Sequence, residues 1–497
     1  MKKFATLLLC FGAMLSLHAQ DKPLYEEPWR PQYHFTPARN WMNDPNGLVY
    51  LDSTYHLFYQ HNPFANQWGH MSWGHAVSND LVHWKHLPVA IPEQQDYRIF
   101  SGSAVVDVNN TTGFRKGEGP PPMVAVFTAH QEGKNQSQSL AYSLDKGETW
   151  TVYDKNPVLD LGKRDFRDPK VSWYEPGGYW LMTVSQPIEK QISFFRSPDL
   201  KSWTHLSEFG PEGDTTGIWE CPDLFRAPIE GQPGKYKWVI MQSPSPYMQY
   251  FIGEFDGTRF KSENKGRILR PDYGPDYYAA VTYNDLPSGM APVSIGWVNN
   301  WRYAGDIPVK PWKSAMSMPR SLSVRQTKKG WVLISQPVYA LKELELEKMV
   351  DRKDVGIFPF GMPQAGGSWH LTVEWSVGDS DRAQIRLAKG RVHETVVGYD
   401  AVRKEVFLDR SKADDFANSE YRKMGKWSIP MELEKGQLKL DIWYDQGIVE
   451  VYVNDGQAVL TAQVFPDEQD QELRIGSQRS RSPIRDLVFV PLRSAWK

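Results

Sequence analysis

Three carboxylates stand in turn-like settings suited to acid–base work. The first is Asp44, within Asn40-Trp41-Met42-Asn43-Asp44-Pro45-Asn46-Gly47. A residue preceding proline is driven toward extended backbone and Asn-Gly favours a turn, so Asp44 is expected where a stiff strand is about to bend. The second is Asp168 in Phe166-Arg167-Asp168-Pro169, and the third is Glu220 in Trp219-Glu220-Cys221-Pro222-Asp223. Taken singly, each is an ordinary turn or capping carboxylate. Brought together in a polar, aromatic-lined pocket, two of them suffice for glycosidic cleavage. One attacks the anomeric carbon or activates water, and the other protonates the leaving oxygen.

Local chemistry divides the roles. Asp44 beside Asn43 is the better nucleophile candidate, because amide and backbone donors stabilise its charged form. Glu220, between Trp219 and Cys221-Pro222, is expected to have apolar neighbours, a raised pKa and a proton to give. Asp168, next to Arg167, is expected to stay ionised and to bind sugar hydroxyls. Other chemistries find less support. His61, His70 and His75 show no clear ligand set for zinc. Cys221 has no recognisable histidine partner, and no Gly-rich phosphate loop is present. No metal or cofactor is implied.

These residues need elements that bring them together, and an internal repeat supplies them. One phrase recurs as Ser78-Asn79-Asp80-Leu81-Val82-His83-Trp84, Ser143-Leu144-Asp145-Lys146-Gly147-Glu148-Thr149-Trp150 and Ser197-Pro198-Asp199-Leu200-Lys201-Ser202-Trp203. Glu254-Phe255-Asp256-Gly257-Thr258-Arg259-Phe260 is a weaker copy. A strand-like run precedes each, so each is expected to be a hairpin closing the outer edge of a repeating unit. A second series is anchored at Asp44, Gly102, Asp168, Glu220 and Asp276, in steps of about 58, 66, 52 and 56 residues. That loose period of short strands predicts an all-β fold, a five-bladed β-propeller spanning residues 20–340. Equivalent anchors would begin the strands lining the axis, so Asp44, Asp168 and Glu220 converge on one funnel.

Beyond Tyr339 the texture changes. Residues 341–357 open with the charged run Leu341 to Lys348 and read as a linker. Strand-like runs then follow through residues 358–497, with Asn454-Asp455-Gly456 as a hairpin turn, and predict a C-terminal β-sandwich. It carries no catalytic cluster.

Composition bounds the partners. The chain has 497 residues and a formal charge of -2, which gives no reason to expect nucleic acid or an anionic membrane. Its 20 Trp, 23 Tyr and 22 Phe serve either as packing or as platforms for sugar rings. Met1-Lys2-Lys3 and the apolar run to Leu17 read as a signal peptide over residues 1–19, so the protein is expected to be exported, periplasmic or secreted. No later segment is long and apolar enough to span a membrane. No partner protein is implied.

At this point the motifs resemble glycoside hydrolase family 32, the invertases, inulinases, levanases and fructan exohydrolases. Trp41 to Gly47 looks like its nucleophile motif, Phe166 to Pro169 its transition-state motif, and Trp219 to Asp223 its acid/base motif. Phe100-Ser101-Gly102-Ser103, Asp272 to Ala279, Gly296 to Trp301 and Pro311 to Arg320 extend the match along the propeller. The resemblance implies retaining hydrolysis of β-fructofuranosides in levan- or inulin-type fructans and in sucrose, with exo action releasing fructose. It implies Asp44 as nucleophile, Glu220 as acid/base and Asp168 as transition-state stabiliser. Asn43, Gln60, Trp68, Phe100, Ser101, Arg167 and Trp301 would line the fructose subsite. The sandwich departs from the family pattern at Asp445-Gln446-Gly447-Ile448. A fructosyltransferase, which differs only in the acceptor, and a non-catalytic fructan-binding propeller are the alternatives; the latter predicts loss of Asp44 or Glu220, and both are present.

Overall fold

The computed structural model describes residues 24–357, 359–362, 365–479 and 481–496, and the expected signal peptide lies outside them. Five small antiparallel sheets come first. Their innermost strands are Asn40–Leu51, Arg98–Val106, Arg167–Tyr174, Trp219–Pro228 and Tyr278–Thr282. We label these β1 to β5. Each lies beside the next, and β5 returns to β1, so the sheets are blades around one axis: a five-bladed propeller. The ring is closed where Asn40 and Trp41 of β1 pair in parallel with Trp312 and Lys313, from the loop of the fifth blade.

The recurring Asp turns sit at the blades' outer edges, between the third and fourth strands of the first four. Each works in the same way. The carboxylates of Asp80, Asp145, Asp199 and Asp256 accept backbone N–H groups two to four residues ahead, from Val82, Thr149, Lys201 and Thr258 among others. In the first three, a serine hydroxyl from Ser78, Ser143 or Ser197 donates to the same carboxylate. The turn is thereby closed by local side chains, which is why it was legible as a phrase.

What positions the site is an irregularity repeated at the inner strands. The ladder slips between Met42 and Pro45, between Ile99 and Gly102, between Arg167 and Lys170, between Glu220 and Asp223, and between Tyr278 and Val281. Three of the residues inside these bulges take left-handed backbone: Asp168 (φ 65°), Cys221 (φ 50°) and Ala279 (φ 53°). A bulge inserts an unpaired residue and re-aims the side chains around it. Here it turns polar groups from a buried strand toward the axis. Most of the aromatic excess is packing: Trp41, Trp73, Trp219, Trp297 and Trp312 are essentially unexposed.

The remaining strands form two six-stranded antiparallel sheets packed face to face over one apolar core, a β-sandwich. Val350–Gly356, inside the stretch expected to be a linker, is already an edge strand of one of them, paired with Ile484–Pro491. The two parts meet through buried ions. Arg320 bridges Asp272 (2.9 Å) and Glu450 (2.7 Å), all three side chains inaccessible. His34 lies between Asp445 (2.9 Å) and Glu450 (3.2 Å).

Candidate active site

Asp44, at the β1 bulge, is buried with its carboxylate fully engaged. Ser101 Oγ, from the β2 bulge, donates to Asp44 Oδ2 at 2.6 Å, and Asn43 Nδ2 donates to Oδ1 at 2.9 Å. The Asn43 amide is itself fixed, because Trp41 Nε1–H donates to its Oδ1 at 2.7 Å. Burial pushes the Asp44 carboxyl up from its usual range, while the Ser101 and Asn43 bonds pull it back. The nearby Glu220 charge pushes it further up.

Asp168, at the β3 bulge, accepts the Cys221 backbone N–H on Oδ2 at 3.0 Å, and its own N–H donates to Thr128 Oγ1. The Cys221 thiol touches both Asp44 Oδ2 and Asp168 Oδ2, at 3.7 Å each, so a single sulfur spaces the two carboxylates. The sequence suggested that Arg167 would keep Asp168 readily ionised. Instead, burial outweighs Arg167, and with the Glu220 and Asp44 charges it raises the Asp168 carboxyl to about 7.

Glu220, at the β4 bulge, departs from expectation in its surroundings. Its apolar sequence neighbour Trp219 turns away into the blade, donating Nε1–H to Asp214 O. Glu220 Oε1 instead accepts Nε and Nη2 of Arg167, each at 3.1 Å, and Oε2 accepts the Tyr278 hydroxyl. Arg167 is held from behind by Asp165 (2.7 Å) and Gln136 (3.1 Å). The three carboxylates therefore meet at one end of the axis, Asp44 and Asp168 joined through the Cys221 thiol and Glu220 held by the Arg167 guanidinium.

The expected subsite residues gather near them by different routes. Gln60 lies on the strand opposite the Asn43-Asp44 bulge, and its Nε2 is buried with no partner, a donor left for a ligand. Phe100 stacks on His130 (4.3 Å between centroids) and meets the edge of Trp68 (6.1 Å). Trp301 stacks against Trp41 at 6.0 Å, on the far side of Asn43. Trp68 and Trp301 are 44% and 36% exposed, unlike the other tryptophans near the carboxylates, so their rings are open to solvent. The three histidines disperse: His61 to Trp41 O, His70 to Glu93 and His75 to His56.

Two corrections concern the fifth blade. Asp276 was expected as an anchor of the inner-strand series, but its carboxylate faces the sandwich, bonded to Arg410 and to the Gln463 N–H (2.7 Å). The residue that reaches the funnel from this blade is Tyr278, two positions on, which sequence reasoning passed over. Its signal was its place in the Asp272 to Ala279 motif, where the two adjacent tyrosines were not told apart. Gln136 and Asp165 were likewise without an assigned part, whereas Cys221 is the buried thiol that its lack of a histidine partner suggested.

Comparison with known proteins extends this picture. Residues 34–337 match the glycosyl hydrolases family 32 N-terminal domain, and residues 336–490 match the glycosyl hydrolases family 32 C terminal. A levanase of Bacillus subtilis is 42% identical over 518 residues, covering 100% of this chain and 76% of the relative. An extracellular exo-inulinase of Aspergillus niger is 38% identical over 501 residues, covering 91% and 92%. The crystal structure of an exo-inulinase from Aspergillus awamori superposes with a TM-score of 0.89 at 36% identity, covering 95% of this chain and 100% of that one.

Proposed function

The chain belongs to glycosyl hydrolase family 32, and from that membership we propose how its own residues act and on which bonds. It is a glycoside hydrolase that cleaves β-fructofuranosidic linkages of fructans and of sucrose, whose fructosyl end is the same. In the proposed scheme an Asp44 carboxylate oxygen attacks the anomeric carbon of the terminal fructosyl unit. The bond from that carbon to the leaving oxygen breaks, and the oxygen takes a proton from Glu220. Glu220, now a carboxylate, draws a proton from water, which attacks the same carbon and releases fructose and free Asp44. Asp168 accepts hydroxyls of the fructosyl ring, and the Gln60 and Asn43 amides add donors at the pocket floor.

The observation that carries these roles is the contrast between the two ends of the pocket. Asp44 is anchored by two short, neutral hydrogen bonds that orient it without neutralising it. Glu220 is oriented instead by Arg167 and Tyr278, whose N–H and O–H groups donate to its two oxygens and hold the carboxylate that returns as base once its proton is given. Exo action is supported by a floor of buried amides and a mouth flanked by Trp68 and Trp301. Export is supported by the N-terminal basic and apolar run and by a relative named as extracellular.

The test is product analysis with sucrose, inulin and levan, beside two variants. Fructose should be the sole early product. Asp44→Ala should stay folded and lose turnover by about 10⁴-fold or more; retained activity would remove it as nucleophile. Glu220→Gln should lose far more rate on natural leaving groups than on activated aryl fructosides. Equal losses on both would argue against its acid role.

A further inference from the structure

The inner strands run from the carboxylate funnel to a second opening, and that opening is not blank. At the far ends of β3, β4 and β5 lies a cavity of about 470 Å³. It is lined by Ser172 to Pro176, by Leu224 to Pro228 and by Thr282 onward. Asp168 and Glu220 stand toward the opposite ends of the same strands, four or more residues from the lining, which is about 13 Å of extended chain. The cavity is therefore separate from the catalytic pocket and opens on the other face of the propeller.

Its walls have the character of a site. Trp173, Tyr174, Tyr236 and Trp238 bring four aromatic rings to one cavity. Tyr236 is 42% exposed, and Trp173, Tyr174 and Trp238 are partly so. Trp173, Tyr174 and Trp238 pack against the neighbouring blade cores and still remain partly exposed to the cavity. The Arg226 guanidinium lies over the rings of Tyr236 (4.9 Å) and Trp238 (5.8 Å), which fix it in place. Arg226 has no carboxylate partner among the described residues, so its N–H donors are held but unspent. Across the cavity, Glu175 accepts the Trp173 indole N–H at 2.7 Å and offers acceptor capacity beside that ring. Flat apolar faces with a fixed donor on one side and a fixed acceptor on the other suit a neutral, polyhydroxylated ligand. Lys235 beside Arg226 and Glu175 near Trp173 add a further donor and an acceptor to the wall.

We propose that this cavity is a second carbohydrate-binding site, which holds a distant stretch of the fructan chain while the catalytic pocket works on an end. The proposal rests on the fructan-cleaving function above, since a polymer is the substrate that can engage two faces or be retained near the enzyme between cleavages. Tethering of this kind raises the effective concentration of chain ends without altering the chemistry. Small substrates gain nothing from it.

The test uses the full-length enzyme with Tyr236→Ala and Arg226→Gln, two exposed positions remote from the carboxylates. Migration is measured in native gels containing levan, inulin or dextran, and kcat/KM is measured on each fructan and on sucrose. The expected result is wild-type retardation by a fructan but not by dextran, weakened in both variants. With it should come a fall of about three- to ten-fold in kcat/KM on that polymer and an unchanged rate on sucrose. An unchanged sucrose rate also certifies that the variants are folded. If both variants keep wild-type retardation and an unchanged ratio of polymer to sucrose rates, the second site is refuted while the catalytic function stands. If the wild type cleaves neither sucrose nor fructan, the function itself fails and the second site with it.

Discussion

Ser101 shows how one hydroxyl can set the working range of Asp44, the proposed nucleophile. Its bond to Asp44 Oδ2 stabilises the charged carboxylate against burial and the neighbouring Glu220 charge. Ser101→Ala removes that bond, so the Asp44 pKa should rise further and the acidic limb of the kcat/KM profile should move to higher pH. A limb that stays put or moves down would show that Ser101 only packs. Asp168 offers the complementary case, a charge held at the expense of stability. Its folded-state pKa lies above the unfolded value, so the folded protein binds the proton more tightly, and stability falls as pH rises from about 3.9 toward about 7. Asp168→Asn should therefore melt higher than the wild type at neutral and alkaline pH, and lose that advantage on acidification, while turnover collapses. Equal melting curves at all pH values would contradict the burial penalty. These sites were legible as residue types because proline, glycine and amides leave marks in sequence. The raised carboxyl of Asp168 was not, since it depends on which charges a bulge brings together.

At the scale of elements, the bulged start of an inner strand is the device that the propeller repeats. Gly102 marks one such place. A Cβ there would stand 2.1 Å from Val126 O and 2.7 Å from Phe127 Cα, both backbone atoms that cannot swing aside. Gly102→Ala should cost about 1–3 kcal/mol in denaturant unfolding and, by displacing Ser101, lower kcat/KM as well. A variant of wild-type stability would mean that the neighbouring strand yields. The outer Asp turns were readable as a phrase because every atom that closes them lies within about eight residues. The fifth blade has no such phrase, and there the anchor Asp276 precedes the strand, while Tyr278, two positions on, is the residue that faces the funnel. Register decides that choice: a shift of two positions keeps the face of a regular strand, but not across a bulge and a domain junction.

At the scale of the molecule, propeller and sandwich are joined by ions that neither could keep alone. Arg320 is inaccessible and serves Asp272 on its own side and Glu450 on the other. Arg320→Met should leave two buried carboxylates without their cation and destabilise the protein by about 3–5 kcal/mol in urea unfolding. A loss below about 1 kcal/mol would indicate that water replaces the guanidinium. The shift of texture beyond Tyr339 conceals this dependence, because Arg320 and Glu450 lie 130 positions apart. The sequence by itself determined the blade count and the all-β class, and singled out the three carboxylates to which the proposed roles are assigned. Those follow from local turn chemistry and from a period that the chain must write out five times. Only the tertiary structure decided what each carboxylate touches: Arg167 and Tyr278 on Glu220, one thiol between Asp44 and Asp168, and Asp276 turned outward to Arg410. Such contacts join strands remote in the chain, and their electrostatics exist only once the blades have closed the ring.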